Sequence, residues 1–172
     1  KSDMADSIFN KVTDSYINLR DSVLEYSGKK PVVLLGGPWE NSWYVAPSDT
    51  YVTRLLKDAG AKYLFEDLRA EHAVPYSVEK VYSKASAADV WLNPGSARSL
   101  EELYGFDYRL KNLQVCKSGM VFSFNKRVTP EGGNDYWESA VIRPDIVLRD
   151  MVSVFHPGLL HGYNMQYCRK LE

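Results

Sequence analysis

The stretch PVVLLGGPWENSWYVAPSDTYVTRLLKDAGAKYLF, residues 31–65, holds two strand signals and one helix signal in an order that decides the fold. Pro31-Val32-Val33-Leu34-Leu35-Gly36 is an unbroken apolar run, too short for a helix and bounded by Pro and Gly. Such a run predicts a strand buried on both faces. From Asp49 to Ala59, Tyr51, Leu55 and Ala59 share one helical face, with Ser48 or Asp49 at the start and Gly60 placed to turn the chain out. Ala61 to Phe65 returns as a strand. Buried strands alternating with helices belong to a mostly parallel sheet covered on both sides.

The pattern holds in both directions from this segment. Upstream, Ile8, Val12, Tyr16, Leu19 and Val23 form one apolar stripe and predict a helix from Asp3 to Tyr26, capped by Ser2 or Asp3 and ended by Gly28. Downstream, Ser77 opens a helix to about Ala87, with Lys80 where a full capping box would have Glu. Ala88 to Leu92 is a third strand, closed by Asn93-Pro94-Gly95, and Ser99 to Tyr104 is helical. Val115 to Phe124 reads as a turn followed by a strand, and a last helix runs from near Pro144 to His156-Pro157. The expected fold is an α/β three-layer sandwich with a mostly parallel sheet, preceded by a long helix.

Composition narrows the function classes. A chain of 172 residues with 45% hydrophobic and 25% charged content fits one domain with a sizeable core. Lys plus Arg number 21 against 22 for Asp plus Glu, so no basic footprint for nucleic acid is present and no nucleic-acid partner is expected. No apolar run approaches the roughly 20 residues of a membrane helix. The chain starts at Lys1 without Met and reads as a piece cut from a longer protein. Cys116 and Cys168 are too few for a disulfide framework and read as small apolar residues, with a bridge between them left open.

In open sheets of this kind ligands sit beyond the carboxyl ends of the strands. The loops expected there are rich in rings and amides: Trp39, Asn41, Trp43 and Tyr44 after the first strand, then Asn93, then Asn125, Arg127, Asn134, Asp135, Tyr136 and Trp137. Flat apolar rings with a few hydrogen-bonding groups suit a bulky, partly apolar ligand, although any one of these rings can instead pack its loop onto the sheet. The guanidinium of Arg127 suits the carboxylates or phenolates of an anionic chelate, unless Asp135 takes it as a partner. Catalytic signals are weak. His72, His156 and His161 lack metal spacing, Gly36-Gly37-Pro38 is no phosphate loop, and no nucleophile elbow occurs.

The segments WYV-P-S-D-T-Y, Asp58-Ala59-Gly60-Ala61, AADVWLNPG (residues 87–95) and GGNDYWE (residues 132–138) together resemble the C-terminal lobe of ABC-importer substrate-binding proteins. The resemblance is to the class III, helical-backbone type that carries iron-siderophore complexes, haem or cobalamin. It implies residues 1–28 as the interdomain helix and 29–172 as the α/β ligand-binding lobe. It also implies a missing N-terminal lobe, a membrane-embedded permease dimer as partner, and a periplasmic or lipid-anchored location. On this reading the protein is no enzyme and has no cofactor of its own, since iron or cobalt arrives inside the ligand. Trp39, Trp43, Tyr44, Asn93, Arg127, Asn134, Tyr136 and Trp137 are the expected ligand contacts, and Glu79 is the expected permease-docking acid. The anionic iron chelate, ferric siderophore or haem, is favoured over cobalamin. The rival from another class is a small α/β enzyme using Asp135, Glu138 or His72 as acid or base.

Overall fold

The structure, a computed structural model, describes residues 2–172, with side chains from residue 5 onward. The cap expected at Ser2 or Asp3 lies outside the described side chains. The first helix, α1, spans Ser2–Glu25, and only part of its apolar stripe is used: Tyr16, Leu19 and Val23 meet the core, whereas Ile8 is 56% exposed. Tyr16 donates to Asp58 at 2.6 Å, tying α1 to the next helix.

Strand β1 (Val32–Leu35) is followed by a hairpin, β2 (Pro38–Trp39) and β3 (Ser42–Val45), then α2 (Tyr51–Asp58) and β4 (Lys62–Tyr63). The hairpin replaces the aromatic loop expected there. Helix α2 starts two residues later than expected because Thr50, not Ser48 or Asp49, caps it. Thr50 and Thr53 satisfy each other's amides reciprocally, a capping box made from two threonines. Next come β5 (Val74–Ser77), α3 (Val78–Ala85) with Ser77 as its cap, β6 (Val90–Leu92), and α4 (Leu100–Phe106) capped by Ser99. A 3-10 turn, α5 (Gln114–Lys117) and β7 (Val121–Ser123) follow. Two more 3-10 turns at Asp135–Trp137 and Ser139–Ile142 lead to α6 (Pro144–Phe155), whose first residue is the expected proline. The chain then forms β8 (Arg169–Lys170).

The main sheet has the order β4-β1-β6-β7-β8, with the first four strands parallel and β8 antiparallel. A second, antiparallel sheet has the order β2-β3-β5. From β1 the chain crosses to β4 on one side. From β4 it crosses back over β1 to β6 and continues to β7. Crossovers between parallel strands are right-handed, so this reversal puts α2 on one face and α3 with α4 on the other. Helices α1, α2 and α6 pack together, which assigns all three to the same face. The core runs through the sheet: Val33, Leu34, Trp91, Leu92 and Val121 are fully buried.

One buried carboxylate organises the C-terminal segment. Asp150, in α6 and 0% exposed, accepts from Tyr163 Oη at 2.8 Å and from the backbone amides of Gln166, Tyr167 and Cys168 at 2.9, 2.7 and 2.8 Å. Both cysteines are free and buried, and burial raises the Cys116 thiol to about 11.

Candidate functional site

The connections from β1 and β6 leave in opposite directions, so the gap between the ends of these two neighbouring strands is the switch point of the sheet. Ligands of doubly wound sheets bind at such a gap. The chain there is held firmly. Trp43 donates its indole N–H to Leu35 O at 3.2 Å, Trp91 donates to Gly36 O at 2.6 Å, and the two indoles stack with centroids 5.4 Å apart. At the end of β6, Asn93 adopts φ 54° and donates its amide to Phe122 O at 2.7 Å. A left-handed residue that is not glycine carries strain. Here it bends the chain away from the strand end. Gly37 passes so close to the β6 loop that an added Cβ would sit 2.1 Å from Pro94 O.

A cavity of about 480 Å³ opens at this point, lined by Leu35, Gly36, Thr50, Tyr51, Val52, Asn93, Tyr136, Trp137, Ala140, Val141 and Val147. None of these residues carries a charge at neutral pH. Burial raises the phenols of Tyr51 and Tyr136, that of Tyr136 to about 12, so both stay neutral. Tyr136 stacks on Phe124 at 4.5 Å and meets Trp137 edge-on at 4.9 Å. Across the Gly37–Pro94 contact lies a second cavity of about 460 Å³, formed by Pro38, Trp39, Glu40, Pro94, Gly95, Ser96 and Phe106. A third, of about 360 Å³, gathers Arg127, Thr129, Asp135 and Glu138. A fourth cavity, the largest of these at about 620 Å³, lies beside α2 and β4 and is charged, and several of its ions are already paired, Lys62 with Glu66 and Asp49 with Arg54. We place the site at the switch point because ring faces and strand ends converge there, not at the largest opening.

The expected contacts divide sharply. Asn93, Tyr136 and Trp137 come together at the first cavity, and Trp39 lines the second. Trp43 is 1% exposed and serves the core, contrary to its expected place in the ligand surface. Asn134 is also committed: its side-chain amide donates to Phe124 O at 2.8 Å and its oxygen accepts from the Tyr136 amide at 3.1 Å, capping the 3-10 turn. Arg127 is half exposed, pairs with Asp135 at 3.0 Å and lies 5.5 Å from the Tyr167 ring. Tyr44 is 55% exposed on β3 and lines none of these three cavities. Glu79, in the first turn of α3, is paired to Arg109 at 2.8 Å, and Arg109 also holds Asp107. His72 and His161 are exposed, and His156 is buried against Tyr26. Among the described residues no three His, Cys, Asp or Glu side chains form a metal-binding group.

Val141 and Tyr51 line the first cavity and Phe106 the second, positions that no motif of the sequence marks. Tyr51 shares a helical face with Leu55 and Ala59 in the sequence pattern, yet those two are buried whereas Tyr51 is 57% exposed and lines the cavity. Val141 and Ile142 are 68% and 73% exposed. The signal was two adjacent aliphatics, Val141-Ile142, in a segment with no helical period.

No protein-family model matches the chain. An uncharacterized lipoprotein of Methanocaldococcus jannaschii is 24% identical over 165 residues, covering 94% of this chain and 37% of that protein. The chain spans less than half the length of the curated relatives it matches, 37% and 45%. Among solved structures, the TroA-like periplasmic binding protein FepB from Veillonella parvula matches all of this chain and 57% of its own, with TM-score 0.69 and 14% identity. A siderophore periplasmic binding protein from Thermobifida fusca matches at TM-score 0.60 and 16% identity over 90% of this chain and 54% of its own. IsdE of S. aureus, solved with haem, matches at TM-score 0.58 and 15% identity over 88% of this chain and 57% of its own. The chain therefore has the α/β fold of the class III, TroA-like periplasmic binding proteins and corresponds to roughly half of such a molecule.

Proposed function

We propose that the chain is the C-terminal ligand-binding lobe of an extracytoplasmic receptor for an ABC importer, capturing an iron complex, a ferric siderophore or haem, against a second lobe. The observation that carries this reading is the uncharged, ring-lined cavity at the switch point, formed by Tyr51, Tyr136, Trp137 and Val141. A surface of exposed rings over a rigid floor suits a large flat ligand bound without chemistry. The lipoprotein relative supports a place outside the cytoplasm, attached to the cell envelope. On this reading α1 is the helix that links the two lobes, and Glu79 docks on the permease. Arg109 holds the Glu79 carboxyl below its usual range, so the acid stays ionised, and its side chain remains 67% exposed.

The test is a titration of the chain, and of the longer protein it belongs to, with haem and with ferric siderophores, followed by visible absorbance and tryptophan fluorescence. Tight binding by the longer protein and weaker binding by the chain is the expected result. A folded longer protein that binds none of them refutes the assignment.

A further inference from the structure

We infer that the ligand of this cleft joins an apolar body to a single cationic arm, the body in the cavity at the switch point and the arm beside Glu40. The inference rests on the cleft reading above and fixes the charge class of its ligand, against the anionic chelate that the sequence favoured.

The first cavity offers no full charge to a ligand, only rings, aliphatics and neutral phenols. The only carboxylate of the neighbouring cavity is Glu40. Glu40 lies in the two-residue turn between β2 and β3, held at φ 53°, and has no ion-pair or hydrogen-bond partner among the described residues. Two rings share its cavity, Trp39 at 69% and Phe106 at 52% exposure. An unpartnered carboxylate with two open aromatic faces is an environment for an alkylammonium group, which gains from both the charge and the ring quadrupoles. The Gly37–Pro94 contact separates this compartment from the first, so a ligand that fills both lies across that backbone ridge. No Lys or Arg lines either of these two cavities. Arg127 is paired to Asp135, and Glu138 lines the same cavity, so that region carries two acids against one base. A trianionic chelate would meet uncompensated negative charge.

The experiment uses ¹⁵N-labelled chain and three diamagnetic gallium(III) complexes, read by amide and indole N–H shifts, which detect even millimolar binding. They are a linear trihydroxamate with a free ammonium, the same chelate with that amine acetylated, and a tris-catecholate trianion. Haem is titrated alongside. Trp43 and Trp91, whose indole N–H groups are already engaged, report the fold.

The ammonium chelate is expected to bind best and to move the Trp39 and Trp137 indoles most. Acetylation should weaken binding by about 3- to 10-fold, the range for one exposed cation–π contact and one surface charge pair. Glu40→Gln should reduce that difference to the part owed to the Trp39 and Phe106 rings, about 2- to 5-fold, while leaving the Trp43 and Trp91 signals in place. Equal binding of the two trihydroxamates, or tighter binding of the trianion, overturns the inference and leaves the iron-complex reading standing. Binding of haem alone does the same. A folded chain that responds to none of the four loses both.

Discussion

Asp150→Ala tests the link between the buried frame and the cleft. Its carboxylate takes four donors, of which the amides of Tyr167 and Cys168 are buried and those of Gln166 and Tyr163 Oη are partly exposed. Removing the acceptor leaves the two buried amides without partners, at about 1–3 kcal/mol each, while water reaches the other two. Desolvation of the carboxylate itself is relieved, which offsets part of that loss. The balance is a destabilisation of about 2–4 kcal/mol, with Asp150→Asn costing less because one oxygen is retained. The damage should spread in a defined direction. Tyr167 bonds Ser139 at 2.8 Å and meets Tyr136 edge-on at 6.3 Å, so releasing residues 166–168 loosens the wall of the cleft. Urea unfolding gives the global loss, and hydrogen exchange at the Tyr167 and Cys168 amides gives the local one. A loss under about 1 kcal/mol with those amides still protected would refute the reasoning.

Gly37→Ala should destabilise by about 1–3 kcal/mol in chemical denaturation, since its Cβ would meet backbone at Pro94, which yields less easily than a side chain. Trp43→Ala should cost at least about 3–5 kcal/mol, because it empties a fully buried site and ends the stacking on Trp91; a near-neutral result would return Trp43 to the ligand surface. Burial holds the His156 imidazole below its ordinary 6.5, so the unfolded chain takes up the proton first. Stability is then intact above about pH 6.5 and declines as the pH falls toward the folded value, and the urea midpoint of His156→Gln should lose that slope between pH 7.5 and 5. Cys116 and Cys168 should resist a thiol reagent in the folded chain and react together on unfolding; rapid labelling of either one in native buffer contradicts their burial.

The elements with strong local signals were legible: β1 and β6 from unbroken apolar runs, α6 from Pro144 and its period, α3 from the Ser77 cap. The second sheet was not. Its strand β2 is two residues long, and β5 contains Pro75, which pairs with Tyr44 on an edge where a missing N–H costs nothing. Pattern alone demotes such a segment to a loop. The site was half legible for a related reason. Aromatic residues near strand ends mark the region, but Trp43 and Trp39, four residues apart, differ only in whether the hairpin turns them in or out. That is a property of pairing register, and a single sequence does not display it.

The two sheets end in four strands with one neighbour each: β4 and β8 in one, β2 and β5 in the other. Each carries a residue that discourages another strand from joining: Lys62 in β4, Arg169 and Lys170 in β8, Pro38 in β2 and Pro75 in β5. Cations and prolines on short rims block intermolecular β-pairing. At high concentration, where open sheet edges invite strand addition, these rims disfavour backbone pairing between copies of this chain. Contact between copies then falls to side-chain faces such as Trp137, Val141 and Ile142, whose apolar association dilution undoes.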